Sequence, residues 1–183
     1  FALGSCSKEN NVLSPSPGKT GNDSIISKPL PTGDEYTLTA DADGRLIIDG
    51  SKTKYKGGDI LNLKGTLSAV YISNLSGSAG KPIIIRNLSG TVTKVGNPNW
   101  SGGSWSNAMN FSNCHYIKLG GQKSKADFVL NCTTKTGQEA YLDLTLSNHT
   151  DNFEISNITI LNGGTGIWAK TNPVKGDAST AYP

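Results

Sequence analysis

A tripeptide of one apolar residue followed by Ser-Asn recurs along the chain and constrains its fold more than any other feature. Successive copies are 39, 35 and 9 residues apart, so the repeat is irregular. Repetition of a strand-ending motif indicates one structural unit built several times, with insertions of different length. The four copies are Ile72-Ser73-Asn74, Phe111-Ser112-Asn113, Leu146-Ser147-Asn148 and Ile155-Ser156-Asn157.

Short apolar runs between turn-forming residues predict strands. Each run has four or five residues, rich in β-branched side chains. None keeps a 3.6-residue apolar period over the ten or more residues that a helix needs. The chain has 22 Gly and only 17% charged residues, which favours many short strands joined by tight turns. The runs lie at residues 36–39, 45–48, 59–63, 69–72 and 82–85.

Asn at the repeated bends predicts how the units stack. Asn enters the left-handed conformation more readily than most residues. Its amide can also stack on an equivalent amide in the next unit, whereas a column of carboxylates would repel. Residues 152–164 fit two strands and two Asn turns into thirteen residues. We therefore predict an all-β solenoid of stacked coils; the alternative is a β-sandwich, for which Asn-Gly hairpin signals are few.

Two segments resemble the early coils of right-handed parallel β-helix proteins of the pectate-lyase-like type, common among exported lipoproteins of carbohydrate-degrading bacteria. They are Asn-Ile-Thr-Ile-Leu-Asn-Gly-Gly-Thr-Gly-Ile-Trp at residues 157–168 and Pro-Ile-Ile-Ile-Arg-Asn at residues 82–87. The resemblance implies a right-handed parallel β-helix over residues 34–183. We expect these residues to form the N-terminal cap and first coils of a longer chain, because the sequence stops after a polar loop without a closing element.

The same resemblance implies polysaccharide as the partner, either bound or degraded. Enzymes of this type act as lyases, with a Lys or Arg base and often Ca²⁺, or as hydrolases with paired carboxylates. The Asn-Thr-Asp, Asp-Asp and Gly-His-Gly sets of polygalacturonase-type hydrolases are missing from the sequence, so a lyase is favoured over a hydrolase. Whether the chain is an enzyme stays open; the alternative is a non-catalytic surface adhesin or structural stalk.

The first residues resemble the end of a lipoprotein signal peptide. Leu3-Gly4-Ser5-Cys6 matches a bacterial lipobox, in which the peptidase cleaves before a cysteine that carries a diacylglycerol. We predict residues 1–6 to be the signal-peptide remnant, Cys6 the lipidated residue and residues 7–33 a flexible tether.

Lys8-Glu9 is similar to the surface-export signal of Bacteroidota lipoproteins. This implies an outer-membrane lipoprotein of the cell envelope, exposed at the surface and attached through its lipid anchor only. No stretch approaches the roughly 18 apolar residues of a membrane-spanning helix. An unlipidated secreted lyase is the alternative.

Three Trp residues and one Lys are the candidate substrate-binding residues. Lys170 follows Trp168 by two positions on a predicted strand, so both side chains share a face. Such a pair would stack against a sugar ring and hold its carboxylate. Trp100 and Trp105 flank a Gly-rich loop, where aromatic side chains often serve binding. The structural alternatives are a packed Trp beside a solvated Lys and an apolar plug over the coil edge.

The acidic residues predict neither a metal site nor a catalytic pair, and no cofactor follows from the sequence; Ca²⁺ would enter only with a lyase. The segment from Asp41 to Gly44 matches only the first half of a calcium loop, so a plain turn is favoured. Asp143 alternates with two leucines, which predicts an outward-facing side chain.

The remaining titratable residues favour structural roles. His115 and His149 stand apart from any Ser, Cys or Asp at a recognisable spacing, which predicts surface or turn positions. Cys114 and Cys132 lie in apolar-flanked segments and predict small buried hydrophobes, with a disulfide as the alternative. The net charge is only +3 and the basic residues are scattered, so a nucleic-acid partner is disfavoured.

Overall fold

Parallel strand pairing organises the chain. The computed structural model describes residues 33–97, 106–132 and 141–170. In chain order its strands are β1 (Glu35–Leu38), β2 (Arg45–Asp49), β3 (Ile60–Leu63), β4 (Thr66–Leu67), β5 (Ala69–Ser73), β6 (Ile83–Asn87), β7 (Thr93–Val95), β8 (Ser106–Ser112), β9 (His115–Gly120), β10 (Phe128–Asn131), β11 (Tyr141–Ser147), β12 (Asp151–Ser156), β13 (Thr159–Leu161) and β14 (Thr165–Ala169), and a short 3-10 turn, Gly50–Lys52, follows β2.

The strands form three sheets, each built from one strand of successive coils. Sheet A has the order β1-β3-β6-β9-β12, sheet B the order β2-β5-β8-β11-β14 and sheet C the order β4-β7-β10-β13. All pairs are parallel. From β3 onwards the chain visits sheet A, then C, then B. The predicted parallel β-helix is therefore confirmed, and all five apolar runs form strands.

The core lies inside the coils and consists of apolar columns that cross several rungs. Ile72 lies opposite Phe111 in sheet B, and Ile83 lies opposite Ile117 in sheet A. All four side chains are buried. Burial of this kind stabilises by roughly 1.5–3 kcal/mol for each large apolar side chain.

Cys114 and Cys132 belong to the same core. Both are fully buried and free, which confirms the prediction of small buried hydrophobes. Burial raises the pKa of the Cys114 thiol.

Three of the four Ser-Asn copies stack at one bend of the solenoid. Ser73, Ser112 and Ser147 are paired in register at the ends of β5, β8 and β11. The Asn that follows each Ser has a positive φ, of 54°, 53° and 50°. The spacings of 39 and 35 residues therefore each correspond to one full coil.

The fourth copy lies at a different bend. Ser156 ends β12 in sheet A, and Asn157 turns the chain towards β13 with φ 50°. The spacing of 9 residues thus separates two bends of one coil. Asn162 makes the next bend, with φ 63°, so the two predicted Asn turns within residues 152–164 are confirmed.

Side-chain amides connect the coils at the Ser-Asn bend. The Asn113 amide nitrogen donates to Asn74 Oδ1 at 2.9 Å, and the Asn74 nitrogen donates to Asp49 Oδ1 at 3.0 Å. A second contact of this type joins Asn162 to Asn131 at 2.9 Å. The predicted amide stacking is confirmed, with a single carboxylate, Asp49, as the terminal acceptor of the first column.

Replacing Asn113 separates the contribution of its amide from that of its backbone conformation. Asn113→Gly tolerates positive φ but loses the hydrogen bond, so we expect a loss of about 1 kcal/mol in the free energy of unfolding. Asn113→Ala should lose about 1–2 kcal/mol more, because an alanine in the left-handed region is strained. Urea unfolding followed by circular dichroism measures both. His149→Gly, at an exposed left-handed site whose side chain makes no hydrogen bond in the described part of the chain, is the matched control, and equal losses for the two glycine variants would contradict the prediction.

Candidate functional site

A cleft of about 440 Å³ lies on the outer face of sheet B, across β8, β11 and β14. Its position follows from register, because Asn110 lies opposite Thr145 and Thr145 opposite Trp168. Three residues that are distant in sequence thus form one outward column. The lining residues are Asn107, Asn110, Leu142, Thr145, Ser147, Asn148, Trp168 and Lys170.

A break in strand alternation shapes this face. Residues 108–109 are consecutive and buried, and so are residues 143–144 in the neighbouring strand. Asn107 and Leu142, which precede these pairs and are themselves paired, line the cleft. Because the break occurs at paired positions in β8 and β11, the outward-facing residues of the two strands stay aligned from one coil to the next.

Hydrogen bonds within the lining fix the orientation of its amides. Thr145 Oγ1 donates to Asn107 Oδ1 at 2.6 Å, and Ser147 Oγ donates to Asn110 Oδ1 at 3.4 Å. Both Asn oxygens are thereby engaged. The amide nitrogens of Asn107 and Asn110 donate no hydrogen bond to the part of the chain that the structure describes. They are therefore available as donors to a ligand.

Trp168 and Lys170 meet at one end of the cleft. Lys170 continues the ladder beyond β14, since its backbone nitrogen donates to Leu146 O at 2.8 Å. Its ammonium lies 5.4 Å from the centroid of the half-buried Trp168 ring, within range of a cation–π contact. No carboxylate pairs with Lys170 among the described residues.

The other sequence candidates cannot be placed relative to this cleft. Cys6, Trp100 and Trp105 lie outside the described residues, as do most of the predicted tether and the segment after Lys170. The structure therefore brings together two of the four predicted binding residues. It adds Asn107, Asn110 and Thr145, which sequence reasoning missed because only coil register shows that they share a face.

Asp143 corrects a sequence prediction, because it faces inwards and is only 1% exposed. Simple alternation with the flanking leucines fails at the break that includes residues 143–144. Neither carboxylate oxygen has a hydrogen-bond partner in the described part of the chain. A side chain at Gly163 would collide with this carboxylate unless the carboxylate moved, so the glycine accommodates Asp143 in its buried position.

Burial determines the protonation of Asp143. It raises the pKa of the carboxyl to about 6, and the nearby Cys132 thiol and Gly163 N–H, which lie close without hydrogen-bond geometry, offset only part of that rise. Burial, and then contact with Asp143, raise the pKa of the Cys132 thiol. These two groups form a buried titratable pair beneath the cleft strand β11.

His115 also has a partner that the sequence did not reveal. Its Nδ1 lies 2.7 Å from Asp151 Oδ1, and its Nε2 lies 3.3 Å from Asn113 Oδ1. Burial opposes ionisation of Asp151, but hydrogen bonds from His115 and Asn152 outweigh it and lower the pKa of Asp151. Because both ring nitrogens contact acceptor oxygens, His115 connects two coils structurally. The pair is 36 residues apart, a separation set by coil length that no local motif reports.

The remaining candidates behave as predicted turns. Asp41 Oδ1 accepts hydrogen bonds from the backbone nitrogens of Asp43 and Arg45 at 3.0 and 2.7 Å, and Gly44 has φ 75°. This confirms the predicted turn. His149 is exposed at a bend with φ 64°, which confirms its predicted position.

No protein-family model, curated protein or solved structure matches the chain. Over residues 33–97, 106–132 and 141–170, no three His, Cys, Asp or Glu side chains are grouped to hold a metal ion. The same residues contain no helix long and apolar enough to cross a membrane. The site is therefore interpreted from its own geometry.

The buried Asp143 predicts a stability that falls with pH. Its ordinary pKa is 3.8 and its folded pKa about 6, so between these values the unfolded chain releases the proton while the folded chain keeps it. The free energy of unfolding should fall as pH rises through this interval, by about 2 kcal/mol between pH 4.5 and pH 7.5. We expect Asp143→Asn to remove this fall, measured by urea unfolding at pH 4.5 and 7.5.

Asp127→Asn is the matched control for the Asp143 prediction. Backbone hydrogen bonds from Lys123 and Ser124 lower the pKa of Asp127, so its contribution to stability has the opposite sign and increases with pH. The control variant should therefore lose stability at neutral pH. An Asp143→Asn variant with the pH slope of the unmodified chain would contradict the assignment.

Proposed function

We propose that the chain is an exported, lipid-anchored β-helix protein that binds polysaccharide in the cleft of sheet B. The supporting observation is the half-buried Trp168 with the Lys170 ammonium beside it. Sugar rings have apolar C–H faces, a rim of hydroxyls and, in uronates, a carboxylate. An indole packs against such faces, and a lysine ammonium attracts such a carboxylate.

The rest of the cleft supports the same ligand class. Its lining is dominated by amide and hydroxyl groups, and the nitrogens of Asn107 and Asn110 are available to sugar hydroxyls. Its volume of about 440 Å³ lies within the roughly 300–1,000 Å³ common for small-ligand sites. A few polar groups placed around one aromatic side chain are typical of sites that orient a ligand.

A lyase activity is the second candidate function. Lys170 lines the cleft without a carboxylate partner in the described part of the chain. Acting as the base, Lys170 Nζ would take the proton α to a uronate carboxylate, the bond to the glycosidic oxygen would break as the C=C bond forms, and that oxygen would take a proton from water. Polyuronates should then yield unsaturated products, detected by ultraviolet absorbance with and without Ca²⁺. Binding without such products would favour the adhesin or stalk.

Substitutions at the cleft test the binding proposal. We expect Trp168→Ala to weaken binding to a uronate-containing polysaccharide about tenfold or more, since a lost stacking contact of about 1.4 kcal/mol corresponds to a factor of ten. Lys170→Ala should weaken binding to acidic chains and leave neutral chains unaffected, whereas Lys170→Arg keeps the positive charge and should keep binding.

Lys94→Ala, an exposed lysine of β7 in sheet C, is the matched charge control. Calorimetric titration measures each affinity. Unchanged affinity of both Trp168→Ala and Lys170→Ala would exclude this cleft as the binding site.

The proposed lipid anchor at Cys6 is tested separately from the cleft. In cells that process lipoproteins, Cys6→Ala should move the protein from the membrane to the soluble fraction, because the thiol that would carry the diacylglycerol is lost. Ser5→Ala keeps a small residue before the cysteine and should leave fractionation unchanged. Retention of Cys6→Ala in the membrane fraction would contradict a lipid anchor at this residue.

A further inference from the structure

A second depression, of about 150 Å³, lies on the same outer face and meets the cleft at Asn110. Its lining includes Ile47 and Tyr71, and Ile47 is 66% exposed. Ile47 and Tyr71 together give this depression an apolar lining, and grouped apolar surface marks contact sites more often than isolated exposed side chains do. The two depressions therefore form one groove across sheet B.

Register gives this groove a direction. Ile47 lies opposite Tyr71, Tyr71 opposite Asn110, Asn110 opposite Thr145 and Thr145 opposite Trp168. Neighbouring strands lie about 4.8 Å apart, so the four steps span roughly 19 Å along the solenoid axis. A hexose unit of an extended glycan advances by about one such step. An aromatic ring stands at the second rung and another at the fifth.

Charge is unevenly distributed along the groove. Lys170 is the only charged side chain among the described residues that line the two depressions. At the opposite end, Asp49 begins the column that continues through Ser73 and Ser112. Hydrogen bonds from Asn74 and Ser51 lower the pKa of Asp49, and its partner Lys52 is held at 3.3 Å. Because Lys52 pairs with Asp49, an anionic group is attracted at the Trp168 end, whereas the lining near Ile47 offers it no charged partner.

We propose that the groove holds a linear glycan along the solenoid axis, with one anionic sugar beside Lys170 and neutral sugars over Tyr71 and Ile47. This inference rests on the proposed polysaccharide binding and narrows its substrate class. A uniform polyuronate would place carboxylates against Tyr71 and Ile47, where the described groove supplies no cation to compensate their desolvation. A glycan with few charged sugars matches both the basic Trp168 end and the uncharged Ile47 end of the groove.

Chain length and charge pattern test the proposal together. The probes are β-1,4-linked glucose oligomers that carry a single glucuronate, at the reducing end in one set and at the non-reducing end in another, each as a disaccharide and a hexasaccharide. A hexasaccharide of glucuronate alone is the uniformly charged probe. We expect the singly charged hexasaccharide to bind about tenfold more tightly than the uniform one and than its own disaccharide. Tyr71→Ala and Ile47→Asp should remove the gain from length and leave disaccharide affinity unchanged.

The controls separate this inference from the underlying function. Trp168→Ala should weaken both lengths, and Val92→Ala, an exposed aliphatic residue outside the groove, should weaken neither. If Trp168→Ala acts on both lengths but Tyr71→Ala and Ile47→Asp on neither, the extended groove is overturned while the cleft stands. Tighter binding of the uniform uronate also overturns the inference. If no probe binds, both proposals fail.

Discussion

Parallel backbone pairing between coils, in fixed register, is the constraint on which the rest of the structure depends. Each strand can satisfy its backbone groups only by matching the strand one coil away, and this places equivalent residues directly above one another. The inward columns then become a continuous apolar core, as with Ile72 and Phe111. The bends become columns of amides, as with Asn74 and Asn113.

The candidate site is a product of the same register. No two of Tyr71, Asn110, Thr145 and Trp168 are close in sequence, yet they follow one another along the outer face of sheet B. Their side chains change from aromatic to polar and back to aromatic over four successive coils. Such a surface is suited to binding a polymer, because each coil adds one lining residue at a regular interval.

The repeated bends made the solenoid predictable, since Ser-Asn pairs and short β-branched runs report local backbone conformation. Sequence reasoning failed where a residue's environment depends on a neighbouring coil. Asp143 has an outward pattern but lies inside, because alternation breaks together in β8 and β11. His115 and Asp151 meet only because one coil is 36 residues long. The pairing of Trp168 with Lys170 was predictable from spacing, but their polar neighbours were not.

The amide column tolerates great variation in the chain between its members. Consecutive contacts join residues 25 and 39 positions apart, from Asp49 to Asn74 and from Asn74 to Asn113, with similar hydrogen-bond lengths. The same kind of amide contact thus connects successive coils whether 25 or 39 residues separate the two side chains. Such a scaffold can lengthen or exchange the loops beside the proposed groove without moving the strands that form it, so the surface chemistry there can change while the architecture stays constant.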